Sequence, residues 1–345
     1  MTRVYVGMSG GVDSSLTASL LVEQGYDVTG VYMKNWSQDL PGMKCPWAED
    51  LADAKRVAVQ LGIDFKVFDF EREYKQNVVD YMVDEYKLGR TPNPDIMCNQ
   101  EVKFKLFLEA ALADGADMIA TGHYAQTSGG KLLKATDDKK DQTYFLYRVT
   151  EAALRKTLFP LGNYTKAQVR EMAHERGLWT ATKKESMGVC FVGSVSMRDF
   201  LSEYVTTRPG DIIDKQAGKV IGRHDGAIYY TLGQRHGLDV GGGLPYYVVG
   251  KDIDKNEVFV STNLNDGAMW RDMISLHSVH WISGEPRGGD LQARLRHRGQ
   301  LIDTELLRDD NDYKLKLAHT ERAVTPGQSV VLYSGDECIG GGIVY

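Results

Sequence analysis

The sequence predicts an α/β fold, a doubly wound parallel sheet followed by two small β-rich domains, the last of them a β-barrel. Strand and helix patterns alternate through the first half of the chain, which favours parallel strands with helices on both faces. Beyond position 206, short alternating segments separated by Gly, Asp and Asn replace that pattern, as is typical of antiparallel β structure. We therefore expect three domains, at residues 1–206, 207–270 and 271–345.

Hydrophobic periodicity assigns the individual elements. A strand at Val4–Met8 leads through a glycine-rich loop into a helix that stops near Gly25. The other elements of the first domain are a strand at Asp27–Tyr32, a helix at Ala48–Leu61, a strand at Asp64–Phe70, helices at Arg72–Leu88 and Glu101–Asp114, and a strand at Met118–Ala120. Later strands are predicted at Ala227–Leu232, Tyr246–Gly250, Glu257–Val260, Gln292–Arg298, Lys314–Ala318, Ser329–Tyr333 and Cys338–Val344.

Composition is that of a globular protein, with 42% hydrophobic and 26% charged residues. The net charge of −6 gives no overall sign of nucleic-acid binding, although a local basic surface is compatible with it. No apolar run is long enough to span a bilayer and no signal-peptide pattern opens the chain, so we expect a cytoplasmic protein without membrane association. The four cysteines show no zinc-site spacing, and we expect thiols at Cys45, Cys98, Cys190 and Cys338.

The loop Ser9–Ser15, with the sequence Ser-Gly-Gly-Val-Asp-Ser-Ser, joins the first strand to the first helix. Gly10 and Gly11 let backbone N–H groups close on an anion at a helix N-terminus, and the serine hydroxyls add donors. Asp13 is a candidate ligand for the Mg²⁺ that accompanies a nucleotide. The lysine-bearing loop of phosphoryl-transfer ATPases is absent, so a different nucleotide-phosphate site is predicted, with an ordinary glycine turn as the alternative.

A second candidate site is the loop Thr91–Asn99, which lies between two predicted helices. Its two prolines stiffen the backbone, and Asn93 and Asp95 could pair with the edge of a base or a similar planar ligand. Cys98 is expected at the N-terminal start of the next helix, where the helix dipole lowers the pKa of a thiol. A rigid connector whose cysteine only packs explains the same residues, and the residues alone leave both readings open.

Three further features are weaker. Cys190 lies between two glycines, in a segment that fits a buried strand as well as a reactive position. Arg294, Arg296 and Arg298 alternate with apolar residues, which predicts three guanidinium groups on one strand face. Such a face is solvated by default and binds phosphates if the partner is RNA, and the same holds for the charged turn Lys139–Gln142.

Together these segments resemble the bacterial tRNA-specific 2-thiouridylase family, which thiolates the wobble uridine of some tRNAs, over nearly the entire chain. The first motif alone is shared with many ATP pyrophosphatases, whereas the order of the whole set is specific. The motifs are Gly7–Ser14, Tyr32–Trp36, Gly89–Asp95 with Cys98–Asn99, Thr121–Ala125, Lys140–Gln142, Gly188–Phe191 and Thr325–Gln328.

The resemblance implies an ATP-pyrophosphatase-like first domain, a tRNA-binding barrel and a role for each motif. ATP with Mg²⁺ would bind at Gly7, Met8, Ser9, Gly10, Gly11, Val12, Asp13, Ser14, Met33 and Gly122. The target base would contact Asn93, Pro94 and Asp95, with Asp95 assisting proton transfer, Cys98 as nucleophile and Cys190 carrying a persulfide. Further tRNA contacts would be His123, Lys140, Asp141, Gln142, Arg296, His297 and Gln328. The persulfide donor would be a sulfur-carrier or cysteine-desulfurase protein, and we expect a monomer.

In the implied reaction, ATP adenylates the C2 oxygen of the uracil ring, and sulfur from the Cys190 persulfide then replaces AMP. The sulfur arrives either by direct attack or as sulfide released by Cys98, and a Cys98–Cys190 disulfide remains. Three alternatives use some of the same residues: an amidating ligase acting on a small substrate, an RNA-binding protein with a regulatory nucleotide site, and an iron–sulfur cluster on Cys98, Cys190 and Asp95. Release of AMP and pyrophosphate that depends on tRNA separates the first two from thiolation, and visible absorbance tests the third.

Overall fold

The computed structural model describes residues 1–39, 45–184, 196–241, 243–286, 288–309 and 312–345. Its elements up to residue 202 are β1 (Arg3–Gly7), α1 (Val12–Glu23), β2 (Asp27–Lys34), α2 (Trp47–Leu61), β3 (Asp64–Asp69), α3 (Glu71–Tyr74), α4 (Tyr81–Lys87), α5 (Pro94–Met97), α6 (Phe107–Ala113), β4 (Met118–Ala120), β5 (Gln126–Ser128), β6 (Lys131–Leu133), α7 (Thr143–Leu146), α8 (Glu151–Leu154), β7 (Thr157–Leu158), α9 (Lys166–Glu175) and α10 (Met197–Ser202). Two π-helical stretches, Lys75–Asp80 and Cys98–Leu106, join α3 to α4 and α5 to α6. Among these described helices, none has the length and apolar character that a membrane crossing requires.

Five parallel strands form the first sheet, in the order β3-β2-β1-β4-β7. Successive residues of β1 point to opposite faces: Val4 and Val6 pack with α1 and α2, whereas Tyr5 packs with Phe107 of α6. Both faces are therefore buried by helices, and the predicted doubly wound α/β architecture is confirmed.

The second half is built from antiparallel strands, apart from one parallel pair, and 3₁₀ turns. Its strands are β8 (Gly210–Asp214), β9 (Lys219–His224), β10 (Tyr247–Asp252), β11 (Glu257–Ser261), β12 (Trp270–Trp281), β13 (Leu291–Arg294), β14 (Ile302–Asp309), β15 (Asp312–Arg322), β16 (Ser329–Ser334) and β17 (Glu337–Val344). The first four form a sheet in the order β10-β11-β8-β9. The last six follow the order β12-β15-β14-β13-β16-β17, and β17 pairs back with β12 to close the predicted barrel.

One part of the first domain belongs to the barrel sheet. The hairpin β5–β6 extends it because β6 pairs with β17, placing Leu132 opposite Cys338 and Leu133 opposite Glu337. Lys131 adds an ion pair to Glu337 at 2.7 Å. The first domain and the barrel thus share one continuous sheet. Sequence patterns miss this hairpin because each of its strands has three residues and β17, which pairs with β6, lies about two hundred positions away.

Some predicted elements differ from the structure, and the strand predicted at Gln292–Arg298 ends at Arg294. The strand predicted at Ala227–Leu232 is wrong: Ala227–Tyr229 forms a 3₁₀ turn. Ala227 and Ile228 are buried by packing, and the N–H of Ala227 donates to the side chain of Asn256 at 2.9 Å instead of joining a ladder. The helix predicted to begin at Glu101 begins at Pro94, since proline suits a first helical turn.

Candidate active site

The loop between β1 and α1 has the geometry of an anion cradle. Gly10 has φ +73°, and a Cβ on it would lie 2.3 Å from the carbonyl oxygen of Asp50, so a side chain does not fit there. Gly11 is the N-cap of α1 and supplies no side-chain cap, which leaves the leading N–H groups of this twelve-residue helix available to a ligand. These features fit the phosphates of a nucleotide at the carboxyl edge of the sheet.

The structure brings the three segments predicted to bind ATP together. A Cβ on Gly7 would lie 2.9 Å from the terminal methyl of Met33, so Met33 covers the end of β1. A Cβ on Gly122 would lie 2.9 Å from the backbone of Asp13 and Ser14. Glycine at both positions therefore allows β2 and the segment after β4 to close on the loop.

Asp13 has a different environment from the predicted one. Lys166 donates to both of its carboxylate oxygens, at 2.7 and 2.9 Å, and the hydroxyl of Tyr124 donates to one of them at 2.9 Å. The carboxylate of Asp13 is thus paired with an ammonium group in this structure, and its role as a Mg²⁺ ligand stays a prediction. In the described ranges, no group of three or more His, Cys, Asp or Glu side chains is placed to hold a metal ion. Lys166 lies 153 positions from Asp13, and no sequence pattern points to it.

The loop with Cys98 is ordered by its own capping. The side chain of Asn93 accepts a hydrogen bond from the N–H of Asp95 at 3.1 Å and caps α5. Cys98 follows α5 and is 4% exposed, packed in a cluster with Trp36 and Phe200. The expectation that Cys98 starts the helix is wrong, because the helix begins at Pro94 and the dipole acts mainly within the first turn.

Asp95 lies half-buried beside this thiol-bearing turn. Burial raises the pKa of its carboxyl group, and the positive charge of Lys103 partly opposes that rise. A raised pKa means that this carboxyl group holds a proton more readily than an exposed aspartate does, which is compatible with the proton-transfer role predicted for it.

The chain leading toward Cys190 is anchored beside the phosphate loop, although Cys190 itself lies outside the described residues. Lys183 pairs with Asp50 at 2.8 Å and with Asp53 at 2.7 Å, both in the first half of α2. The carbonyl oxygen of Asp50 is also the atom that Gly10 faces. Sequence reasoning missed Lys183, because its partners are about 130 positions away.

Residues predicted to contact tRNA line two neighbouring cavities. Arg296 and Gln328 line a cavity of about 550 Å³ between the central domain and the barrel. Lys140 lines a second, of about 820 Å³, together with Lys139 and Arg298. The two cavities share Gly299 and Gln300, so the lysines and arginines form one basic surface across the first domain and the barrel.

The predicted strand face with three arginines is wrong. The strand β13 ends at Arg294, and Arg298 has φ +60° in the following turn. Arg294 is 8% exposed and donates to Asp141 at 2.7 Å, while Arg296 and Arg298 are exposed. Asp141 is 2% exposed and also accepts from the hydroxyl of Thr143. The carboxylate of Asp141 therefore holds its loop against the barrel from inside the protein.

Three other predicted tRNA contacts are partly or wholly enclosed. His123 is 9% exposed between Phe104 and Phe159, and burial lowers its pKa well below the usual value, so the ring is neutral at physiological pH. His297 packs on Phe145 at 4.5 Å, and burial lowers its pKa as well. Gln142 accepts from the N–H of Tyr124 at 2.9 Å.

Comparisons with known proteins cover nearly the whole chain. Three family models match it: the tRNA methyl transferase HUP domain at residues 2–194, the tRNA methyl transferase PRC-barrel domain at 198–262 and the aminomethyltransferase beta-barrel domain at 271–344. The chain is 47% identical to the tRNA-specific 2-thiouridylase MnmA of Bacillus subtilis (strain 168), over 99% of this chain and 95% of that protein. It is 46% identical to the protein of the same name from Bacillus cytotoxicus, over 99% and 94%. Among solved structures, a 4-thiouridine synthetase in complex with RNA and ATP is 17% identical, covering 59% of this chain and 50% of that chain with a TM-score of 0.39.

Proposed function

The chain belongs to the tRNA-specific 2-thiouridylase family, and we propose that it replaces O2 of the wobble uridine of tRNA with sulfur in an ATP-dependent reaction. One observation carries the proposal beyond family membership. The nucleotide loop follows β1, and Trp36, which packs with Cys98, follows the neighbouring parallel strand β2. This supports placing the phosphate cradle and the proposed nucleophile at the same edge of the sheet, at the carboxyl ends of its strands.

ATP supplies the activating group, since adenylation of O2 turns a poor leaving group into AMP and releases pyrophosphate. The N–H groups at the start of α1 would stabilise the negative charge on the phosphates. Gly7, Met33 and Gly122 would shape the rest of the ATP site. The target base must leave the anticodon stack to expose C2.

The two thiols divide the sulfur transfer. A sulfur-carrier or desulfurase protein would load Cys190 as a persulfide. Either its outer sulfur attacks C2 directly and Cys98 then attacks the Cys190 sulfur, breaking the S–S bond and leaving the outer sulfur on C2, or Cys98 first attacks the inner sulfur and frees sulfide for the attack on C2. In both routes AMP leaves with the C–O bonding pair, Cys98 and Cys190 end as a disulfide, and a dithiol reductant restores them. Asp95 would take up the proton that the attacking sulfur loses.

The tRNA would bind across the basic surface defined above, with Lys140, Gln142, Arg296, His297 and Gln328 as contacts. Asp141 and His123 would act from inside, by holding the loops that carry these contacts. We expect Arg296→Met to weaken tRNA binding and to flatten its dependence on salt by about one unit of log–log slope. The control is Arg308→Met, which removes an exposed arginine paired with Glu285 and should leave the slope unchanged.

The decisive experiment combines purified protein, ATP, unmodified tRNA, a persulfide source and a reductant, followed by mass spectrometry of the nucleosides. Cys98→Ser should abolish formation of 2-thiouridine, because the thiol of Cys98 forms a covalent bond in the proposed reaction. ATP affinity should stay within about twofold of the wild type, because serine has nearly the size of cysteine. Cys338→Ser, a matched change of a thiol buried in the barrel, should retain activity. A normal yield of 2-thiouridine from Cys98→Ser would contradict the mechanism. AMP release at the same rate with and without tRNA would favour a ligase that acts on a small substrate.

A further inference from the structure

The short segment Gly89–Thr91, at the entrance of the loop with Cys98, contacts both later domains. A Cβ on Gly89 would lie 2.6 Å from the side chain of Ile253 in the central domain, and Gly89 has φ +76°. The N–H of Thr91 donates to the carbonyl of Pro326 in the barrel at 2.9 Å. The hydroxyl of Thr91 is 3.2 Å from the hydroxyl of Thr231 in the central domain.

The barrel side of this junction is tightly fitted. Gly327 has φ +89°, and a Cβ on it would lie 2.8 Å from both the Cβ of Arg90 and the N–H nitrogen of Thr91. Arg90 is itself fixed, because its guanidinium group pairs with Glu85 at 2.7 Å. The backbone at Thr91 therefore cannot shift toward the barrel without moving Gly327.

The central-domain side is held as well. The N–H of Thr231 donates to the side-chain oxygen of Gln234 at 3.0 Å, and the carbonyl of the preceding Tyr230 accepts from Lys251 at 2.6 Å. Thr231 also lines the 550 Å³ cavity that Arg296 and Gln328 share. One hydroxyl contact thus joins the wall of that cavity to the segment entering the Cys98 loop.

We propose that Thr91 is a positioning residue for thiolation: its hydroxyl bond to Thr231 holds the entrance of the Cys98 loop in register with the central domain. Thr91 stands two residues before Asn93, the N-cap of α5, and Cys98 directly follows α5. A small displacement of Thr91 is therefore transmitted through a rigid Pro-Asn-Pro segment to the thiol. The kinetic part of this inference rests on the proposed function, whereas the structural part does not.

The kinetic test compares Thr91→Val, Thr231→Val, the double variant and Thr91→Ser. Both valine variants keep the backbone hydrogen bonds and lose only the hydroxyl group. We expect kcat for thiolation to fall about tenfold, and KM for tRNA and for ATP to stay within about twofold of the wild type. The reason is that a misplaced reacting group slows the reaction before it weakens binding. Thr91→Ser keeps the hydroxyl group and should have a kcat within about twofold of the wild-type value. The double variant should lose no more than the worse single variant, because both remove the same interaction. Additive losses, or a valine variant with wild-type kcat, would overturn the proposal.

A second readout needs no catalysis. Alkylation of Cys98 by iodoacetamide, followed as the rate of modification of its peptide by mass spectrometry, reports the placement of the thiol. We expect the rate to change at least threefold in both valine variants and to stay at the wild-type value in Thr91→Ser. A lower melting temperature with unchanged Cys98 alkylation would mean that the hydroxyls only add stability, against the proposal. If the wild type makes no 2-thiouridine, the proposed function fails, and alkylation still decides the role of Thr91.

Discussion

Removing the guanidinium group of Arg294 should destabilise the protein strongly, because it leaves a buried carboxylate without its countercharge. The side chains of Asp141 and Arg294 are 1% and 10% exposed and lie 2.7 Å apart. Breaking a buried pair from one side costs about 3–5 kcal/mol of unfolding free energy. Asp141 keeps hydrogen bonds from Thr143 and from the N–H of Ala135 at 3.2 Å, which favours the lower part of that range. We expect Arg294→Met to cost about 3 kcal/mol.

Urea unfolding followed by tryptophan fluorescence at pH 7 measures this cost. The matched control is Arg308→Met, whose pair with Glu285 is 61% and 37% exposed and should matter by less than about 1 kcal/mol. The double variant Asp141→Asn with Arg294→Met removes both charges and should recover at least half of the loss, because an amide is far cheaper to bury than a carboxylate.

Two results would refute this reasoning. If Arg294→Met costs no more than Arg308→Met, the pair is not buried in solution as the structure shows. If the double variant is less stable than Arg294→Met alone, the loss comes from packing on Tyr333, whose ring lies 5.1 Å from the guanidinium carbon, and the charge argument fails.

Two further predictions follow from single positions. Gly10→Ala should weaken ATP binding about tenfold or more in calorimetry, because its Cβ would meet the Asp50 carbonyl, whereas Gly25→Ala strains a similar φ of +82° with open space around it and should leave ATP affinity unchanged. Burial lowers the pKa of Lys251 from 10.5 to about 8, which corresponds to about 3 kcal/mol of unfavourable burial while the ammonium is charged. The unfolded state then binds more protons between pH 8 and 10.5, so the contribution of Lys251 to stability rises through that window. Lys251→Met should stabilise the protein by about 1–2 kcal/mol at pH 7, once the loss of the hydrogen bond to Tyr230 is subtracted, and by less at pH 10. Equal stabilisation at the two pH values in urea titrations would argue against a charged, buried lysine.

The sequence predicted best where the signal is local. The phosphate loop is recognisable because its glycines and serines are consecutive and sit between a strand and a helix. Asn93 and Pro94 also act locally, as the N-cap and first residue of α5. The sequence predicts the start of this helix seven residues too late, because its first turn carries no apolar periodicity. The convergence of Met33 and Gly122 on the loop had no local signal, and only the family resemblance indicated it.

The contacts that join the domains were not predictable from local pattern. Thr91 meets Thr231, Arg294 meets Asp141 and β6 meets β17 across separations of about 140 to 200 residues. None of these pairs has a spacing that a helix or strand period would reveal, because each depends on how finished domains are arranged.

The arginines of the barrel show why the sequence pattern is misleading where two domains meet. The three arginines at 294, 296 and 298 have the same spacing and the same chemistry. A strand period of two therefore predicts the same face and the same exposure for all of them. Asp141 approaches from the first domain and meets only Arg294, so that position becomes core while the next two remain exposed in a turn. In the sequence, a charged residue that faces another domain therefore has the same pattern as a surface residue. Whether it is buried depends on a partner outside its own segment.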